Sequence, residues 1–323
     1  MRKYEKFEGE FTIPDNKPVT VKQCGNITEI KFVSRRNTEA HIQRVGKDFY
    51  MRLKEDTGEL HEIQHGSCRL DDTQGVKRSL ERLRDYLNTN VTEAANCRWI
   101  TFTYAENMKN PARLVTDFRA FNRRCRKLYG HYEYITAAEP QGRGAWHLHA
   151  VLIFDTPAPF MMNKTVREMW GQGFVNVRGL KNIDNIGLYL TAYLSDMDFE
   201  QVAGLTGTIP KNISTVEVIN EKGKKEKKAV VKGSRLKLYP SGFHIYRVSK
   251  GIKKPIINVM SNAEAESTVS EYTLIYENSV RIFDDENDFN IVTNKRVYNK
   301  IPNAKNFIIR SVNNDNSDII DNK

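Results

Sequence analysis

Two strand-like runs, residues 132–139 and 146–154, face each other across the turn Gln141-Gly142-Arg143-Gly144. A tight turn between two such runs leaves little choice but an antiparallel pair, so this hairpin constrains the fold more than any other stretch. Before it, Arg98-Trp99-Ile100-Thr101-Phe102-Thr103-Tyr104 is rich in aromatic and β-branched residues and predicts a strand. Asn110 can cap a helix whose first residue is Pro111. Leu114, Phe118, Phe121, Cys125 and Leu128 form one apolar stripe along it, and Gly130 ends it. After the hairpin come a short helix at 165–170, a strand at 174–177 and a helix from about 184 to 197. Strand-helix-strand-strand-helix-strand-helix predicts an α+β core, a central antiparallel sheet with flanking helices.

The flanks read differently. Residues 1–96 hold short alternating runs at 27–33 and 49–53, a smaller β-rich part, followed by a helix. On that helix Val76, Leu80, Leu83 and Leu87 make the apolar face, and Asn88-Thr89-Asn90 ends it. Beyond the core at 97–205, the region 206–323 begins with a solvated basic loop, Glu221-Lys222-Gly223-Lys224-Lys225-Glu226-Lys227-Lys228. A hairpin within 229–256 is expected, with 235–239 and 243–248 as its arms around Pro240-Ser241-Gly242, and the polar end at 311–323 is expected to fray.

A net charge of +10 favours polyanionic partners, because each Lys or Arg that meets a phosphate releases a condensed counterion. The longest apolar run, 150–154, is too short to cross a bilayer, so no membrane partner is expected. Met1-Arg2-Lys3-Tyr4-Glu5-Lys6 lacks the apolar stretch of a secretory signal. Cys24, Cys68, Cys97 and Cys125 are scattered, with no CxxC pair, which fits reduced thiols. Together these features predict a cytoplasmic protein.

Two constellations can carry chemistry. In Trp146-His147-Leu148-His149, residues two apart on a strand project to one side, so His147 and His149 stand together while Leu148 packs behind. The turn brings Glu139 back beside His147, and a Glu-His-His set leaves coordination positions open on a divalent metal. The bland alternative is a pair of surface or hydrogen-bonded histidines. Downstream, Ile186, Leu190, Leu194 and Met197 recur as a helical stripe, with Tyr189 and Tyr193 one turn apart on a neighbouring face. A tyrosine can attack phosphorus to form a covalent phosphotyrosine link. The same pair is also what amphipathic helix tyrosines at a core edge look like.

Taken in order, strand 99–104, Glu139 leading into His147-Leu148-His149, and Tyr189 with Tyr193 forty residues on resemble the HUH endonucleases. More specifically they resemble the rolling-circle replication initiators of plasmids and small single-stranded DNA phages, in the two-tyrosine form. The stretches 99–108, 139–147 and Lys232-Gly233-Ser234-Arg235-Leu236 are also similar to initiators of Firmicute mobile elements. The resemblance implies a ferredoxin-like or RRM-like core. It also implies a site-specific single-strand nickase and strand transferase with a 5′-phosphotyrosine intermediate. Glu139, His147 and His149 would hold Mg²⁺ or Mn²⁺, Tyr189 would make the first nick, and Tyr193 would serve as second nucleophile. Single-stranded DNA at a replication origin is the implied partner, with a host helicase and polymerase. The lysine that the family often places three residues after the first tyrosine is here Ala192, and Asp196 stands at the equivalent place after the second. Arg178, Lys181 and Lys164 are candidates for the missing cation.

Two other functions compete. A DNA-binding regulator on the same fold needs no catalysis. His61-Glu62-Ile63-Gln64-His65 is a literal HExxH, the pattern of helical zinc proteases, and His61, His65 and Cys68 could alternatively form a structural zinc site. However, Thr57-Gly58 and Gly66-Ser67 bracket barely two turns, too few for the supporting helix, so a coincidence in a β-rich region is the expectation. Trp146 and Tyr104 could stack on an unpaired base but suit a core or edge role better.

Overall fold

The computed structural model describes residues 3–6, 11–35, 42–44, 50–53, 60–63, 67–180, 194–198, 202, 213–219, 225–231, 233–284 and 289–301. By contacts the chain divides into two units, one built from both chain ends and one from the middle.

The first unit pairs the two ends of the chain. Strands β1 (Lys3–Lys6), β2 (Pro18–Cys24) and β3 (Ile27–Val33) join three late strands, numbered β15 (Ile256–Ser261), β16 (Thr273–Asp284) and β17 (Phe289–Asn299). The six lie antiparallel in the order β1-β16-β17-β3-β2-β15. Val19, Val21, Ile30 and Phe32 turn inward and pack with Ala265 and Val269 of the helical stretch Asn262–Thr268 and its end. Three short strands, β4 (Ile42–Arg44), β5 (Tyr50–Leu53) and β6 (Leu60–Ile63), form a small sheet of their own.

The second unit holds the predicted core. Helix α1 (Thr73–Asn90) starts where the Asp72 carboxylate accepts from the Gly75 amide at 2.9 Å, and it buries Val76, Leu83 and Leu87. Then come β7 (Cys97–Phe102), α2 (Ala112–Tyr129), β8 (Glu133–Pro140), β9 (Trp146–Ile153), α3 (Asn163–Trp170) and β10 (Val175–Gly179). The sheet order is β10-β7-β9-β8, closed on the outside by β14 (Tyr246–Val248), and every pairing is antiparallel. This is the βαββαβ pattern with its fourth strand beside its first, so the expected α+β core with flanking helices is present. The turn is closed by two backbone bonds, from Gln141 N to Ala145 O and from Gly144 N to Gln141 O, with Gly144 at φ +86.

The two faces of this sheet are unlike. Phe102 meets Phe118 and Phe121 of α2 and Trp170 of α3, with ring centroids 6.0, 4.7 and 4.8 Å apart, so both helices cover one face. Thr101, next along β7, belongs to the other face. Leu128, expected on the stripe of α2, is 59% exposed in the last turn of that helix.

Several expectations for the C-terminal region are corrected. Residues 235–239 and 243–248 do not pair with each other. The segment Leu236–Leu238 is a 3-10 turn, and β14 pairs with β8 instead, where an open sheet edge offers more hydrogen bonds than a free hairpin. Lys225–Val231 is not loop but strand β13, paired with β12 (Ile213–Ile219) and β11 (Met197–Asp198). By contacts α1 and β14 group with β7–β10, and the last strands group with the first. The tail at 311–323 lies outside the described residues.

The four cysteines are free. Among the described residues no helix is long and apolar enough to cross a membrane. Phe121 is fully buried between the sheet and α3, so Phe121→Ala is expected to destabilise this unit by about 3–5 kcal/mol. Chemical denaturation of the variant measures it. A loss below about 1 kcal/mol would contradict the packing of α2 on the sheet.

Candidate functional site

The hairpin register decides where the polar side chains meet. Glu139 lies directly opposite His147, and Ala137 directly opposite His149. Directly opposed residues share a face, so Glu139, His147 and His149 all project from the face that α2 and α3 leave alone. Thr101 of β7 stands opposite His149 on the other side, and its hydroxyl is 3.2 Å from His149 Nδ1. Trp99, on the same strand, packs edge-on to the His149 ring with centroids 6.0 Å apart.

Glu139 is the hub. It is 7% exposed, its Oε2 lies 2.6 Å from His149 Nε2, and its Oε1 lies 2.9 Å from Arg235 Nη1. Burial pushes its carboxyl up. The hydrogen bond from His149 and the charges of His149, Arg235 and His147 outweigh that and hold it below the ordinary carboxylate value. For His147, burial is the leading influence and pushes the imidazole down to about 4. Glu139 opposes the shift, while His149, Arg143 and Arg235 add to it. His147 is therefore a neutral imidazole at neutral pH, the form that can donate a lone pair.

Arg235 was not among the expected site residues. It is 5% exposed, and besides Glu139 its guanidinium donates to Pro140 O at 2.6 Å and to Asp196 O at 3.1 Å. Nearby, the Tyr239 hydroxyl is 2.9 Å from Ala138 O and 3.1 Å from Leu194 O. These two side chains fasten the end of β8 to the residues just after the tyrosine segment. Only the resemblance of 232–236 to initiator sequences hinted at this role. Local spacing could not, because 95 residues separate Arg235 from Pro140.

Tyr189, Tyr193 and Lys181 lie outside the described residues. Arg178 is opposite Trp99, on the same face as Thr101. Lys164 belongs to α3, which covers the opposite face. The cation beside Glu139 is Arg235. Trp146 and Tyr104 are each 4% exposed and belong to the core. His61 and Glu62 lie on strand β6, not on the helix a protease HExxH needs, and His65 is outside the described residues.

Two imidazoles and a carboxylate on one face suit a divalent metal in donor type. As they stand they are closed on one another: both Glu139 oxygens are engaged. Among the described residues no three His, Cys, Asp or Glu side chains are already grouped to hold an ion.

Residues 97–198 match the family model of replication-associated proteins of the ORF2 and gene-II-protein type. The match runs from β7 to β11, taking in the whole Glu139–His147–His149 hairpin and stopping before Arg235. No curated protein and no solved structure gives a significant match. The similarity ties this region to DNA replication.

The low value of His147 has a consequence for stability. Below about 6.5 the unfolded chain takes up a proton that the folded site refuses until about pH 4, so stability falls as pH drops through that window. Thermal unfolding with chelator present should show a shallower loss between pH 6.5 and 4 for His147→Gln than for the wild type. Identical pH profiles would mean the imidazole is not desolvated.

Proposed function

We propose that the chain is a rolling-circle replication initiator of the HUH type, a site-specific nickase and strand transferase acting on single-stranded origin DNA in the cytoplasm of the host of a plasmid or phage-like element. The observation that carries this reading is the convergence of Glu139, His147 and His149 on one sheet face, within the stretch that matches replication-associated proteins.

In this reading Glu139, His147 and His149 hold Mg²⁺ or Mn²⁺, which when bound would polarise a non-bridging oxygen of the scissile phosphate. The direct Glu139–His149 hydrogen bond must open for that, while Arg235 keeps the carboxylate oriented. Tyr189 supplies the nucleophile. Its phenol gives up a proton, its oxygen bonds to phosphorus, and the bond to the 3′ oxygen breaks. The 5′ phosphate stays on the protein, and the 3′ oxygen takes a proton to become the hydroxyl that a host polymerase extends. Tyr193 offers a second phenol for the closing transfer, and a host helicase would unwind the duplex ahead.

A non-catalytic DNA-binding regulator is the second reading. The closed Glu139–His149 contact favours it, because a hydrogen-bonded pair needs no metal.

Incubation with labelled single-stranded origin DNA and Mn²⁺ separates the two. The nickase forms an SDS-resistant adduct, and the regulator does not. His147→Ala and His149→Ala are expected to lower adduct formation at limiting Mn²⁺ by a hundredfold or more, on the order of 3 kcal/mol in barrier. Glu139→Ala should follow, while His61→Ala should cleave normally. Tyr189→Phe should lose the first nick. Tyr193→Phe should nick but fail to release closed circles. Full cleavage by His147→Ala would sink the metal assignment, and an adduct mapped only to Tyr193 would reverse the tyrosine roles.

A further inference from the structure

On the same sheet face, at the β14 edge, lies a cavity of about 410 Å³ whose walls include Arg69, Arg82, Tyr86, His244, Tyr246 and Arg247. Its size falls within the roughly 300–1,000 Å³ typical of small-ligand sites. Its chemistry is one-sided. Three arginines line it, Arg247 from an edge-strand position next to Tyr246. Asp72 pairs with Arg69 at 2.9 Å, and the Arg69 Nη2 is 3.5 Å from the Ser79 hydroxyl. The buried Arg69 Nε has no hydrogen-bond partner, a donor left over in a wall of the cavity. Arg82 and Arg247 form no ion pair among the described residues. Asp85, one turn along α1 from Arg82, is buried rather than presented to solvent.

The other component is aromatic. The Tyr86 and Tyr246 rings lie 6.0 Å apart and tilted at 54°, and both are half-buried, so a flat ring face remains on offer. Guanidiniums pair with phosphate in a forked, charge-assisted geometry, and aromatic faces stack on unpaired bases whatever their sequence. A site combining the two suits a nucleotide strand better than an inorganic anion or a protein carboxylate.

Its place in the sheet supplies the connection. Tyr246 is directly opposite Ala137, Ala137 opposite His149, and His149 opposite Thr101, so these four stand in one row across one face. Neighbouring strands are about 4.8 Å apart, which puts Tyr246 two strands, roughly 10 Å, from His149. Tyr246 and His149 thus share a face, with the fully buried Ala137 between them.

We propose that this cavity is a single-stranded DNA subsite: Arg82, Arg247 and Arg69 hold backbone phosphates, and Tyr86 with Tyr246 stack a base, flanking the Glu139–His147–His149 site. The choice of single-stranded DNA rests on the nickase reading; the charge and aromatic pairing do not.

The test is anisotropy of a fluorescein-labelled single-stranded oligonucleotide titrated with the full chain at several salt concentrations. The Arg82→Ala/Arg247→Ala double variant, at two exposed positions, should bind on the order of tenfold more weakly. The slope of log affinity against log salt should shrink by about 1.4, or 0.7 for each phosphate no longer neutralised. Tyr246→Ala should weaken binding fivefold or more with an unchanged salt slope, because removing a stacked ring releases no counterion. Circular dichroism confirms that each variant is folded. Adduct formation by the wild type is scored separately. Pocket-dependent binding without any adduct supports the subsite and removes the nickase reading. An adduct with unchanged affinity and slope in the double variant overturns the subsite and leaves the nickase reading standing. Tighter binding of a duplex of the same sequence also overturns it.

Discussion

The arrangement around the sheet depends on one buried carboxylate. Glu139 is nearly inaccessible, and an ionised carboxylate in such a place is tolerable only if its oxygens are paired. One oxygen is paired with His149 across the hairpin and the other with Arg235, nearly a hundred residues on. The first contact fixes the relative position of β8 and β9. The second draws the segment after β13 against the end of β8, where Tyr239 adds bonds to Ala138 and Leu194. Removing one partner would leave a buried charge, which typically costs about 3–5 kcal/mol, so the three residues are expected to be retained or lost together.

The division of the sheet into two faces follows from ordinary strand alternation. Phe102, Leu148 and Ala150 fill the side covered by α2 and α3, and their neighbours Thr101, His147 and His149 are turned the other way. The second face is buried too, by Trp99, Val151, Ile135 and Ala137, and it carries the polar cluster among them. At the far edge β14 extends that second face, and α1 meets it through Tyr86 and Tyr246. Thr101, His149, Ala137 and Tyr246 therefore form one row across that face, with Ala137 fully buried.

Much of this was legible from local pattern. The hairpin at 132–154 and the stripe of Leu114, Phe118, Phe121 and Cys125 declare themselves because period-2 and period-3.6 alternation are local properties. The shared face of His147 and His149 follows from the same alternation. What local pattern does not carry is partner choice. Residues 243–248 look like one arm of a hairpin, but their partner is β8, more than a hundred residues earlier. Strands β2 and β3 look like a small independent unit, yet they are completed by β15 and β17. Arg235 is hidden for the same reason: an arginine in a Gly-Ser-Arg stretch has no local signature of burial, and only the long-range fold brings it to its carboxylate. The lysine-rich stretch reads as loop because charge suggests solvent and KEKKAVV has no period-2 alternation; only its pairing with β12 makes it a strand.

The central claim is that Glu139, His147 and His149 hold a catalytic divalent ion once their closed contacts open. Spin-echo modulation spectroscopy on the full chain loaded with one equivalent of Mn²⁺ tests it most directly, since directly bound imidazole nitrogens modulate the echo. Nitrogen modulation from two imidazoles is expected, reduced in His147→Ala and again in His149→Ala. A bound Mn²⁺ with no nitrogen coupling, or coupling unchanged in both variants, would contradict it.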